Sequence, residues 1–289
     1  MKNSYANRES HNAIPELTTV LNQSSEVIRQ FITTSAIYCF ASKTETATIL
    51  NAFGNESGKT ATSHHIYLLV FIEETKINAT ADLADLIAGT IPNGRATLLL
   101  HKTTSLRHLT ANQKWCFKHM VDNSIDVYVN NTSPPYLHLD KEPVRKPELS
   151  RAYWNDRLRI ANTYLESERQ MEVWGMECVQ HSMLHVAVEQ VCLGIIEVVL
   201  GYHPNHYALN YLLDLCSICT TLPNEIFPRT TQEDQLLYRL LTTNFHTLRH
   251  AKCNFHGFTY TELLSKRCSE FIERAQIEMA NELERITTV

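Results

Sequence analysis

"NNTSPPYLHLDKEPVRKPELS", residues 130–150, divides the chain. It holds four of the nine prolines among mixed charges, with neither helical spacing nor strand alternation, so it reads as an interdomain linker. Upstream, "AIYCFAS" (36–42), "HIYLLVFIE" (65–73), "ATLLLHK" (96–102) and "IDVYVN" (125–130) are apolar, β-branched or aromatic runs of strand length. Between and before them, "IPELTTVLNQSSEVIRQFI" (14–32), "NATADLADLIAGTI" (78–91) and "SLRHLTANQKWCFKHMV" (105–121) read as helices. The polar stretch 43–64, with two glycines, predicts a long loop or mobile insertion.

Downstream every pattern is helical. Residues 151–174 carry apolar positions at helical spacing, and "CVQHSMLHVAVEQVCLGIIEVVLG" (178–201) is apolar around most of its circumference, with Gly201 as its stop. Residues 208–219 form a third helix. Capping boxes at Thr230/Glu233 and Thr259/Glu262 predict two more. The expected fold is therefore an α+β domain with a small mixed sheet (1–132), a linker (133–149) and an all-α bundle (150–289).

Composition bounds the function. With 44% apolar and 20% charged residues the chain is of the soluble globular kind, and its net charge of −5 argues against coating nucleic acid by bulk electrostatics while leaving room for a local basic groove. No uninterrupted apolar run reaches transmembrane length and the N-terminus is polar, so a cytoplasmic protein without a membrane partner is expected. Eight reduced cysteines should then pack as small apolar groups. Cys216 and Cys219 form a C-x-x-C without the second pair of a zinc ribbon, and are expected as two buried positions on one helix face.

No metal is expected. His64–His65 and His203/His206 lack a completing carboxylate or cysteine at ligand spacing, and His181/His185 lack the glutamate of H-E-x-x-H, which leaves packing or capping of neighbours. "GNESGKT" (54–60) is one residue short of a phosphate-binding loop and reads as an ordinary loop.

An arginine followed by a histidine can serve RNA cleavage, because imidazole moves a 2′-hydroxyl proton near neutral pH while guanidinium holds the phosphate. Arg95–His101, Arg239–His246 and Arg249–His256 all have a suitable spacing, and fifteen arginines with fourteen histidines yield roughly two such pairs by chance. Position in a fold has to choose among them.

The helical half resembles the HEPN family. "LHVAVEQ" (184–190), "GYHPNHYALNYLLDL" (201–215), "EIFPRTTQEDQLLYRLL" (225–241) and "FHTLRHAKCNFHGFTYTELL" (245–264) are similar to successive motifs of one branch, over about residues 150–285. The resemblance implies an RNA- or nucleotide-binding protein of a prokaryotic defence or toxin–antitoxin-like system, and a homodimer through the helical domain. Arg249, His250 and Lys252 would line a basic cleft for phosphate, with Arg249 as clamp and His256 as general acid/base of a metal-independent ribonuclease. Several positions depart from the pattern. Tyr207 and Ala208 stand for a histidine and asparagine, His250 stands for a tyrosine, and Phe258 has no hydroxyl to adenylylate.

The upstream half resembles nucleotidyltransferases of the MNT type. "AIYCFASKTE" is similar to their strand and G-S turn, "HIYLLVFIEE" to their acidic strand, and residues 96–128 to the closing elements. Such enzymes hold Mg²⁺ with clustered carboxylates. Here Ala41 precedes Ser42 where glycine belongs, His65 and Tyr67 stand for the paired aspartates, and "ATLLLH" offers no third acid. Nucleotidyl transfer is not expected, and no cofactor is. Two readings remain open: a HEPN ribonuclease, and a non-catalytic regulatory or interaction module.

Overall fold

Alternation along three strands builds the sheet. The computed structural model describes residues 13–48, 60–74, 79–130, 142–171, 177–243 and 258–288. Strands β1 (Thr34–Thr48), β2 (Thr60–Ile72), β3 (Gly94–Lys102) and β4 (Ile125–Val129) form one sheet in the order β3-β2-β1-β4. β1 is antiparallel to β2 and β4, whereas β2 and β3 run parallel. Ile37 and Cys39 of β1, Ile66, Leu68, Val70 and Ile72 of β2, and Ala96, Leu98 and Leu100 of β3 belong to one core layer. Helices α1 (Ala13–Phe31) and α2 (Ala79–Thr90) contribute Val20, Leu21, Ile28, Leu83 and Ile87 to the same layer. Full burial of each such aliphatic side chain contributes about 1.5–3 kcal/mol, which makes this layer the main stabiliser of the sheet.

Two expectations need correction. The 43–64 stretch is not a loop throughout, because β1 continues to Thr48 and β2 begins at Thr60, with Lys43 to Thr48 paired against His65 to Thr60. The alternation of Thr44, Thr46 and Thr48 suits strand backbone; residues 49–59 lie outside the described residues. The segment 105–121 is not one helix either. A 3-10 turn (Thr103–His108) precedes α3 (Ala111–Asn123). Thr110 caps α3: its hydroxyl accepts the Gln113 N–H at 3.3 Å, and the Gln113 side-chain amide oxygen accepts the Thr110 N–H at 3.5 Å.

The chain divides into two compact units, residues 1–108 with 118–139, and residues 109–117 with 140–289. The second unit is helical: α4 (Pro147–Arg169), α5 (Glu177–Leu200), α6 (Leu209–Cys216), the short α7 (Leu222–Ile226), α8 (Gln232–Thr242) and α9 (Phe258–Thr287). The fold is thus mixed α+β, with a four-stranded sheet and many helices. α5 packs on α4, α6, α8 and α9 and buries most of its residues. By length and composition it is apolar enough to cross a membrane, yet 67% of its most apolar window is buried. It ends where expected: Gly201 takes φ of 69°, and its N–H bonds the Glu197 carbonyl at 2.9 Å.

The α8 cap sits one residue later than expected. Thr231 and Asp234, not Thr230 and Glu233, form the box. Asp234 is held there by Arg267 at 2.7 Å as well as by the threonine hydroxyls, which selects it over its neighbour. Thr259 and Glu262 lie inside α9 instead of heading it. Cys216 closes α6 and is buried, while Cys219 follows in a turn and is half-buried, so the pair does not share a helix face.

Gly194 lets α4 approach α5. A β-carbon there would stand 2.5 Å from Cε3 of the buried Trp154. Gly194→Ala should therefore destabilise the protein by about 1–3 kcal/mol, seen as a lower denaturation midpoint in urea. An unchanged midpoint would contradict this packing.

Candidate functional site

Two polar centres stand out, one in each unit. The first is on the sheet. The strand register sets Ala41 beside Tyr67, Ser42 beside Ile66, and Lys43 and Arg95 on either side of His65. The Nδ1 of His65 lies 2.9 Å from an Arg95 guanidinium nitrogen and 3.2 Å from the Tyr67 hydroxyl, while its Nε2 lies 2.8 Å from the Thr97 hydroxyl. Guanidinium can only donate, so Nδ1 carries the lone pair and Nε2 the proton. The His65 and Tyr67 rings also lie 4.3 Å apart, centroid to centroid. These side chains satisfy one another.

Ala41 and Ser42 do not form the turn that the resemblance implies. β1 runs on through them to Thr48, with only a register irregularity between Cys39 and Ala41. Without glycine the backbone keeps an extended course, and successive N–H groups are not gathered to face a phosphate. No group of three or more His, Cys, Asp or Glu that could hold a metal occurs among the described residues. His64 contacts the Thr44 hydroxyl at 3.3 Å and Glu16 at 3.6 Å, on a different set of partners from His65.

The second centre surrounds Glu197, a carboxylate inside the otherwise apolar end of α5 and only 2% exposed. Its Oε1 accepts from the Asn112 amide at 2.7 Å and the Ser150 hydroxyl at 2.9 Å. Its Oε2 lies 3.0 Å from Nε2 of His203, close enough to pair charge without the alignment of a full hydrogen bond. Burial alone would push the Glu197 carboxyl up; the contact with His203 and the bonds from Asn112 and Ser150 outweigh it and hold the group below its ordinary value. Asn112 also accepts the Lys146 N–H at 2.7 Å, fastening the entry to α4. Beside it, Arg145 donates to the Val198 and Val199 carbonyls at the end of α5 and lies 4.5 Å over the Trp115 ring. Among these, only His203 belongs to a pattern that stands out in the sequence, the His203/His206 pair. A lone glutamate in "CLGIIEVVLG" was the signal available.

The remaining sequence candidates separate. Arg249, His250, Lys252 and His256 lie outside the described residues, as do residues 54–59 and His246. Arg95 and His101 share β3, where six residues span about 20 Å, so they do not meet in one site. His181 and His185 serve packing as expected: His181 lies 3.0 Å from the Thr261 hydroxyl, and His185 Nδ1 donates to the Leu241 carbonyl at 2.8 Å near the end of α8. Ala208 stands at the N-cap of α6 and, having no polar side chain, makes no side-chain cap.

No family model matches the chain, and no curated protein does. It is similar to a solved structure, the nucleotidyltransferase-like protein from Exiguobacterium sibiricum 255-15, at 12% identity and a TM-score of 0.28, over 93% of this chain and 79% of that one.

His101 gives the sheet unit a pH dependence. Burial pushes its imidazole down to about 4. The unfolded chain takes up this proton below about pH 6.5, the folded chain only near its lowered value. The stability contributed by neutral His101 is thus complete above that pH and lost as pH falls toward 4. The loss is about 3 kcal/mol. His101→Gln should remove this slope from urea-unfolding free energies measured between pH 7 and 4; parallel curves for variant and wild type would refute it.

Proposed function

We propose that this chain is a nucleotidyltransferase-like and HEPN-type protein that binds RNA or nucleotide phosphate without transferring nucleotides. The observation that carries the first half is the unbroken strand β1 through Ala41 and Ser42, beside a His65 already bonded to Arg95, Tyr67 and Thr97. A transferase needs a phosphate-cradling turn and metal-holding acids at those positions. The second half rests on the HEPN-like text and on residue chemistry: Arg249 would clamp phosphate through its bidentate fork, with His250 and Lys252 adding charge. The reading includes a homodimer through the helical unit, a cytoplasmic location and a defence or toxin–antitoxin-like setting. His256 is the residue on which ribonuclease activity would turn, and the same experiment decides it.

Labelled single-stranded RNA and transfer RNA are titrated with chelator-treated protein at several salt concentrations, followed by anisotropy and by gel. Arg249→Ala should weaken binding about 10-fold and reduce the salt slope by about one. Intact RNA throughout supports the binding module. Cleavage abolished by both Arg249→Ala and His256→Ala would replace it with a ribonuclease. Absence of RNA and nucleotide binding, or label transfer from ATP with Mg²⁺, would sink the proposal.

A further inference from the structure

The centre around Glu197 has no part in that reading, yet it is an expensive structure to keep. A carboxylate sealed in a helical core costs several kcal/mol unless fully paired, and an apolar residue would pack there without any network. Asn112, Ser150 and Glu197 are all buried, and the chain of contacts ends on one residue that reaches solvent: the His203 side chain is 37% exposed. A buried carboxylate behind an imidazole fixes its orientation and tautomer. With Nε2 turned to Glu197, the proton sits on that nitrogen and Nδ1 is left as an acceptor. Among the described residues no hydrogen bond to His203 Nδ1 is made.

The ring belongs to an aromatic surface. His203 stacks on Tyr153 with centroids 4.5 Å apart and planes 23° from parallel. The Arg157 guanidinium carbon lies 4.9 Å from the Tyr153 centroid. Tyr207, four residues on in the same loop, is 56% exposed. Flat rings with one oriented acceptor suit a flat heterocycle that carries N–H donors.

We propose that Tyr153, His203 and Tyr207 form a nucleobase subsite, in which the base stacks on the aromatic surface and donates an N–H to Nδ1 of His203. Glu197, with Asn112 and Ser150, is a positioning residue. The inference rests on the proposed function only for the class of ligand, and it uses none of the residues of the Arg249 segment.

The probe is 2-aminopurine, whose fluorescence falls on stacking, as the free ribonucleoside, within a single-stranded oligoribonucleotide, and beside an abasic oligonucleotide. Wild-type protein should quench the nucleoside. Tyr153→Ala and His203→Ala should weaken this about 10-fold or more, Tyr207→Ala less, while Tyr153→Phe retains it. Circular dichroism confirms that each variant is folded, and Tyr207→Ala changes only a surface position. Arg249→Ala should lose oligonucleotide affinity and keep nucleoside quenching. Quenching of the nucleoside alone assigns the subsite to free nucleotides; quenching of both assigns it to single-stranded RNA. No quenching by the wild type, or quenching unchanged in folded Tyr153→Ala and His203→Ala, overturns the subsite. Equal affinity for the abasic and 2-aminopurine strands, with no quenching of the latter, would overturn it while leaving the phosphate-binding reading in place.

Discussion

The carboxylate of Glu197 has to be paired, and the helical unit is organised around that requirement. It sits inside α5, where an isolated charge would be driven to protonate or to unfold its surroundings. Its partners come from separate pieces of chain: Asn112 from the start of α3, Ser150 from the first turn of α4, and His203 from the loop after α5. Asn112 in turn fixes the backbone of Lys146 at the entry to α4, and Arg145 covers the last carbonyls of α5. One buried oxygen pair therefore sets where three segments meet. Gly201, in the left-handed conformation, allows the chain to turn back toward this centre.

The same rule explains the sheet. His65, Thr97 and Tyr67 are buried in β2 and β3, so each polar atom has to find a partner nearby. The register supplies them, with Arg95 directly across from His65 and Thr97 two residues along. Carboxylates at such positions would draw a cation. A neutral imidazole tied to guanidinium and hydroxyl groups draws none, and the local chemistry turns from metal binding to internal hydrogen bonding. His101 on the same strand follows the simpler course, remaining neutral because burial disfavours its charge.

Much of this was legible in residue pattern. Apolar, β-branched or aromatic runs marked all four strands, apolar spacing or apolar content marked the long helices, and Gly201 marked the end of α5. Shorter-range errors came from choices that the local text leaves open. T-x-x-acid occurs twice in register around α8, and Arg267, distant in sequence, decides for Asp234. Thr110 and Gln113 form a cap inside what reads as one continuous helix. The hairpin arms at 43–48 and 60–64 are too polar to announce strand, and are ordered by pairing with each other.

By itself, the amino-acid order determined that a small mixed sheet precedes a set of helices, that the acids of a nucleotidyl-transfer site are missing at the motif positions, and that no zinc ribbon or H-E-x-x-H site is encoded. These follow from periodicity and from residue type, which act over a few neighbours. Only the tertiary structure decided that β1 continues as strand past Ser42, that His65 is closed off by Arg95 and Thr97, and that Glu197 faces His203 above a stacked tyrosine. Those partners are separated by as many as 85 residues, as Asn112 and Glu197 are. A hydrogen bond is specified by distance and direction in space, and neither is written in sequence spacing once the chain has turned between the partners.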